Sequence, residues 1–371
     1  MASMLLLSGR MEISENQIAR YLSDRFSEQV RIVELSELSG KTAPDEEMKK
    51  FGYGRPILVL CVVGGKRRRF VFHRIRPNAF GREREDDRAA AVWLDYQSFN
   101  HLPRHVPAVD MLSLDDAGEM RSLGHARELI LVTVFKRGAP YAHDLTRIRD
   151  EGELTPLDRR RTQKLASYLS QIHQLRLDEP MLWARRLRDL IGHGEGIMGL
   201  TDSYKAAQTE LSDKELRSIE EAANGWRWRL KGASGRRCQV HGDFHPYNIV
   251  FEKEDMFWVL DRSRGPWGDS ADDVSCMAVN YLFFSLQRYG RLEGPFKELH
   301  DLFWKTYLSF HPDDGLPYAV QPWFAWRCLV LASPLWYPDI SDDVRSRLFQ
   351  FIHRVLKIKR FDYRKINEYI A

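Results

Sequence analysis

Several features are scarce in this 371-residue chain, and each scarcity excludes something. It has four cysteines, Cys61, Cys238, Cys276 and Cys328, spread far apart with no C-x-x-C pair, so neither a zinc site nor a disulfide framework is indicated. Three lie within apolar runs, as buried free thiols do. No stretch approaches the roughly 18 apolar residues of a membrane span. Leu5-Leu6-Leu7 is too short for the apolar core of a signal peptide. The expectation is a cytoplasmic protein with no membrane partner, with Met1 and Met11 both open as starts. A formal charge of +4 over this length is too small to imply a nucleic-acid partner, and Arg67-Arg68-Arg69 and Arg159-Arg160-Arg161 read as solvated faces. Gly40-Lys41-Thr42 lacks the glycine that a P-loop needs five residues before Gly40, because Leu35 stands there. No G-x-G-x-x-G loop falls between the first strands, and no internal repeat is visible.

What is present is an ordinary globular composition, 43% hydrophobic and 29% charged. Single cores stop growing at roughly 250 to 300 residues, so this length suits two lobes. Ser14 and Gln17 make a capping box ahead of Ile18, Tyr21, Leu22 and Phe26, which recur at helical spacing. Strands are expected at 30–35, 57–63 and 69–75, with Gly64-Gly65 as a hairpin turn. Val106 to Val109 should start another strand, and Leu129 to Phe135 should form one more. From Leu157 the pattern is helical, and Gly192-His193-Gly194-Glu195-Gly196 reads as a loop between helices. The late runs Tyr281 to Phe284, Phe303-Trp304, Trp323 to Trp326 and Leu335 to Asp339 carry the aromatics, most of them core. Strand periodicity gives way to helices at Gly138 to Ala142, which divides the chain into residues 1–137 and 138–371.

The chemistry concentrates in residues 238–275. A short apolar run leads into His241-Gly242-Asp243, and Asn248 follows the aspartate at the fifth position. Ile249 to Phe251 and Phe257 to Leu260 are strand-like, joined by the charged turn Glu252 to Asp255, so a hairpin should return Asp261 beside Asn248. A carboxylate and an amide oxygen presented together suit Mg²⁺, a hard cation usually held by few protein groups plus phosphates. Asp243, offset on the preceding loop, is then free to orient a hydroxyl and accept its proton. Phosphoryl transfer divides its labour in this way.

These residues resemble the aminoglycoside phosphotransferase and choline kinase family, whose signature runs His-Gly-Asp-x-x-x-x-Asn and then Asp. His241, Gly242, Asp243, His245, Pro246, Asn248 and Ile249 all match it, and Gly268-Asp269 with Asp273-Val274 look like its downstream element. The resemblance spans about residues 55–350. It implies an α+β, bilobal protein-kinase-like fold, with a small β-rich N-terminal lobe (1–137) and a larger, mainly α-helical C-terminal lobe (138–371). It also implies ATP and Mg²⁺ as cofactors and a small-molecule hydroxyl as acceptor. Asp243 would be the catalytic base, His241 would brace its loop, and Asn248 and Asp261 would ligate the metal.

In kinase-like folds the third strand carries a basic residue for the ATP phosphates, paired with an acid on the next helix. Here that residue is Arg74, with His73 as the alternative register, and the helical partner is Asp87. Gly138 resembles the family's hinge glycine, and backbone amides from Thr133 to Phe135 would hold adenine. Asp269 and Asp273 would fix the loop after the metal ligand. Asp269, Asp272 and Asp273 would also make a negative mouth that, with the late aromatics, favours a cationic acceptor. The competing reading is a catalytically inactive nucleotide-binding relative acting by protein interaction, supported by the missing glycine loop and third-strand lysine.

Overall fold

The computed structural model describes residues 4–7, 11–37, 56–177, 179–206 and 211–371. Gly40-Lys41-Thr42 and the insertion from Ser39 to Arg55 lie outside the described residues. The chain divides into two compact units, Met1–Thr133 and Val134–Ala371.

In the first unit, β1 (Met4–Leu7) pairs antiparallel with β2 (Met11–Ser14), and α1 (Glu15–Phe26) follows at once. Its start is set by the expected capping box: the Ser14 hydroxyl accepts from the Gln17 N–H and the Gln17 side chain accepts from the Ser14 N–H. Then come β3 (Val30–Glu37), β4 (Ile57–Val63) and β5 (Lys66–Phe72), an antiparallel sheet in that order. Alternate residues of β4, Ile57, Val59, Cys61 and Val63, are buried with Ile18, Tyr21 and Leu22 of α1, which is what a period-two strand on a period-3.6 helix requires. Gly64 and Gly65 turn the β4–β5 hairpin with φ of 53° and 79°, values a two-residue hairpin of this hand demands and glycine adopts freely. After α2 (Glu85–Phe99), β6 (Leu112–Leu114) and β7 (Met120–Ser122) form a short hairpin.

Three strand expectations need correction. β5 ends at Phe72, so His73 and Arg74 both lie beyond it, exposed on an irregular segment, and the question of strand register does not arise. The strand expected from Val106 forms only at Leu112. Residues 129–135 form no strand among the described residues, and their apolar side chains, from Leu129 (74%) to Leu131 (87%) and Phe135 (83%), are exposed. β-branched and aromatic residues favour a pleated, half-buried surface, but a strand exists only where a neighbouring ladder receives it.

The second unit opens with β8 (Ala139–Pro140), which joins the edge of β10 (Ile249–Lys253). Gly138 precedes it at φ 148°, and a Cβ there would stand 2.5 Å from the Phe251 carbonyl oxygen, so close backbone approach requires glycine at this position. Helices α3 (Tyr141–Glu151), α4 (Pro156–Ile172), α5 (Pro180–Gly192), α6 (Ile197–Ala206) and α7 (Asp213–Leu230) follow. Between β9 (Arg237–Gln239) and β10 runs the His241-Gly242-Asp243 loop. β11 (Met256–Val259) returns along β10, and β12 (Trp267–Asp269) pairs with β9. The remainder is helical: α8 (Ser270–Tyr289), α9 (Gly294–Phe310), α10 (Gln321–Ala332) and α11 (Asp342–Lys357). Every residue of α8 from Ser270 to Leu286 is buried. A helix buried on every side lies in the middle of a core, and its polar residues must then find partners inside it. The tyrosines, phenylalanines and tryptophans of α8, α9 and α10 pack around it, and all four cysteines are buried free thiols. No helix among the described residues is long and apolar enough to cross a membrane.

Candidate active site

The β10–β11 hairpin does what its sequence promised. Ile249 pairs with Val259, and the Leu260 N–H donates to the Asn248 carbonyl at 2.8 Å, so Asn248 and Asp261 flank the same end of the hairpin. The Asn248 amide donates from Nδ2 to the Asp243 carbonyl at 3.1 Å, which leaves its Oδ1 as an uncommitted acceptor. Asp261 is exposed, with no ion pair or hydrogen bond among the described residues, and sits at φ 53°. That left-handed conformation is uncommon outside glycine and is tolerated best by Asn and Asp. Two hard oxygen donors without a hydrogen-bond or ion-pair partner among the described residues fit Mg²⁺, which keeps few protein ligands and takes the rest from phosphate and water. No group of three or more His, Cys, Asp or Glu able to hold a metal occurs among the described residues.

Asp243 is in the opposite situation. It is 9% exposed, and two guanidiniums converge on its Oδ1: Arg327 Nη1 at 2.6 Å and Arg264 Nη1 at 2.6 Å. Burial pushes its carboxyl up, but Arg327 and then Arg264 outweigh burial and hold it down at about 2. Its Oδ2 lies 3.8 Å from His245 Nε2. Burial lowers the His245 pKa; Asp243 opposes this, while Arg327 and Arg264 add to it, so the imidazole is neutral at pH 7.

The loop that carries Asp243 is held from α8. Asp273 accepts from the His241 N–H at 2.7 Å and the Gly242 N–H at 2.8 Å, and its Oδ2 lies 3.1 Å from His173 Nε2. His173 Nδ1 in turn meets the Tyr307 hydroxyl at 2.8 Å. Burial raises the Asp273 carboxyl, yet the His173 hydrogen bond, with His241 adding to it, keeps it below the ordinary value. Gly242, at φ 87°, makes the turn. The His241 ring accepts from the Asp243 N–H on Nδ1 at 3.2 Å, which assigns the proton to Nε2. That nitrogen is buried without a partner among the described residues. A cavity of about 260 Å³ lies beside it, lined by His241, Tyr168, Ile172, Val259 and Asp261 among others.

The neighbouring acids are committed as firmly. Asp269 caps α8 through the Ala271 N–H and takes a bidentate pair from Arg236, which also grips Asp313. Asp272 pairs with Arg186 and, at 2.6 Å, with Arg327 Nη2. All three of Asp269, Asp272 and Asp273 are 0% exposed. The expected negative mouth is therefore not there, because each carboxylate is buried and neutralised. Asp273 fixes the loop before Asn248, not the one after Asp261.

A family model described as the phosphotransferase enzyme family matches residues 61–294, more than half of the chain. The chain belongs to that family. As a phosphotransferase of this kind its chemistry is phosphoryl transfer to a small molecule, on a protein-kinase-like α+β fold with a strand-rich N-terminal part and a helical C-terminal part. No curated protein matches it. Among solved structures, an amicoumacin kinase in complex with AMP-PNP and Ca²⁺ is 14% identical, with a TM-score of 0.41, covering 84% of this chain and 89% of that one. An ethanolamine kinase from Plasmodium vivax is 13% identical, with a TM-score of 0.34 and coverage of 93% and 80%. A choline/ethanolamine kinase family protein from Mesorhizobium loti is 12% identical, with a TM-score of 0.36 and coverage of 90% and 94%.

Within the phosphotransferase, Asp243, His241, Asn248 and Asp261 come together in one unit. Arg74, Asp87 and Thr133 belong to the other unit, and Phe135 lies just past the division. The expected Arg74–Asp87 pair is not formed among the described residues: Asp87 Oδ2 accepts from the Arg84 N–H at 2.8 Å at the start of α2. Sequence reasoning missed Arg186, Arg264 and Arg327. Arg327 left a signal, as the one charge in the apolar run of α10, since a charge in such a place survives only when paired.

Proposed function

We propose that this phosphotransferase moves the γ-phosphate of ATP to a hydroxyl of a small molecule. The acceptor oxygen bonds to the γ-phosphorus as the bond to the bridging oxygen breaks, and the electron pair leaves with ADP. Asp243 accepts the hydroxyl's hydrogen bond, aims the oxygen and takes its proton as the new bond forms. Asn248 and Asp261 would hold Mg²⁺, which when bound neutralises charge on the phosphates. Asp273, held by His173, keeps the loop that carries Asp243 in place. Catalysis of this kind is mainly positioning and electrostatics, so few residues carry it.

The observation that supports the reading best is the contrast at the hairpin end: Asn248 Oδ1 and Asp261 stand uncommitted five and eighteen positions after an aspartate fixed on a braced loop. In the N-terminal unit, Arg74 has an exposed guanidinium without an ion-pair partner among the described residues, which supports a role on the phosphates, with backbone amides of Thr133 to Phe135 for the base.

The test is ATP consumption over a panel of hydroxylated compounds, for the unmodified enzyme and for Asp243→Asn. Asparagine keeps the volume but cannot take the proton, so turnover should fall about 10² to 10⁴-fold while calorimetric Mg·ATP binding is retained. Turnover by Asp243→Asn at the unmodified rate would sink the mechanism.

A further inference from the structure

Cation recognition in a protein pocket usually relies on aromatic faces. The two α10 indoles, Trp323 and Trp326, are buried, and the protein's own arginines lie against them. The Arg327 guanidinium lies 3.9 Å from the Trp326 ring centre and Arg264 5.0 Å from the same ring, while Arg186 lies 5.5 Å from that of Trp323. Trp326 is fixed in this role by its Nε1, which donates to the Glu195 carbonyl at 2.7 Å. The acids that would have drawn a cation, Asp269, Asp272 and Asp273, are buried in pairs. At this cluster a cation would meet guanidiniums, and the acids beside them are already bound.

The three arginines are not equivalent. Arg327 is 4% exposed and its two terminal nitrogens are spent on Asp243, the Gly242 carbonyl and Asp272. Arg186 is 5% exposed and spent on Asp272 and the Arg264 carbonyl. Arg264 is the outermost: its side chain is 17% exposed, it shares Asp243 Oδ1 with Arg327, and its Nε reaches Glu195 Oε2 at 3.4 Å. The Glu195 side chain, on the loop between α5 and α6, is 58% exposed. The guanidinium is largely buried, but the carboxylate that meets it stands in solvent at 3.4 Å, and a partner so exposed is weakly held and exchangeable. Glu195 thus sets a carboxylate beside a guanidinium that touches the catalytic aspartate, where a ligand's anion could replace it.

Building on the phosphotransferase reading above, we infer that the acceptor is a hydroxylated small molecule carrying an anionic group, carboxylate or phosphate, beside its reactive hydroxyl, and that Arg264 binds that group in exchange for Glu195.

The test is a matched panel: glycerate and glycerol 3-phosphate against glycerol, ethanolamine and choline, read by ATP consumption and by ligand-induced thermal shift. Phosphorylation and stabilisation are expected for at least one anionic member and for neither ethanolamine nor choline. The two anions separate carboxylate from phosphate recognition. Arg264→Met should raise KM for the anionic acceptor about 10- to 100-fold, the worth of one hydrogen bond to a charged partner, with Arg264→Lys in between. Glu195→Gln should lower KM severalfold by removing the competitor. If neutral or cationic members are phosphorylated in preference, or if no anionic member stabilises the protein, this inference is overturned and the phosphotransferase reading stands. If no member is phosphorylated and Asp243→Asn consumes ATP as the unmodified enzyme does, both fall.

Discussion

Six aspartates lie between residues 243 and 273, and, Asp255 of the hairpin turn aside, the other five fall into two groups. Asp243, Asp269, Asp272 and Asp273 are buried, and each is held by arginine, histidine or backbone N–H groups; Asp261 is exposed and holds nothing among the described residues. In sequence the five look alike. The comparison teaches that burial and pairing give carboxylates different work. The paired ones fix the shape of the loop that carries Asp243, and the bare one, on the function proposed above, is left for the metal.

The comparison breaks hardest at Asp272. Asp272→Ala leaves Arg186 and Arg327 buried beside a missing charge, and removing one partner of a buried pair costs roughly 3–5 kcal/mol. A urea melt should show that loss, with turnover falling too because Arg327 also holds Asp243. A midpoint unchanged within error would mean that water already reaches this cluster. Acid is the next lever. Asp243 has a folded pKa held at about 2, below its unfolded value, so its contribution to stability is full above about pH 4 and is lost as the pH falls toward 2. On the order of 2–3 kcal/mol is at stake, and Asp273, also lowered, adds in the same direction. Urea midpoints at pH 6, 4 and 2.5 should hold between the first two and drop at the third, and Arg264→Met should move the drop to higher pH. The smallest expected change in stability is at Asp261. Asp261→Asn keeps a residue that tolerates left-handed backbone and breaks no pair, so the melt should not move, while Mg·ATP affinity measured by calorimetry should fall. Loss of stability with Mg·ATP affinity intact would reverse the sorting.

Much of this was readable beforehand where the determinants are local. The capping box at Ser14, the Gly64-Gly65 turn and the 249–259 hairpin each depend on residues a few positions apart, so the pattern carries them. The motif residues Asp243, Asn248 and Asp261 were legible for the same reason. The arginine partners were not, because Arg186, Arg264 and Arg327 reach Asp272 or Asp243 across separations for which the chain prints no pattern. The grip of His173 on Asp273 is likewise a tertiary fact. Residues 129–135 show the converse: strand propensity was plain, and the ladder that would use it is absent among the described residues.

The distances along the chain between these partners have a consequence for how the protein is made. Asp273 waits on a histidine 100 positions earlier, and Asp243 on an arginine 84 positions later. Contacts closed over such spans form late, because the entropy of drawing the intervening chain together must be offset first. A nascent chain emerging from the ribosome with α8 but not α10 holds Asp243 and Asp272 without Arg327. The His241-Gly242-Asp243 loop can therefore take its final shape only when synthesis is nearly complete, and a product cut short before α10 has its whole signature motif and no assembled site.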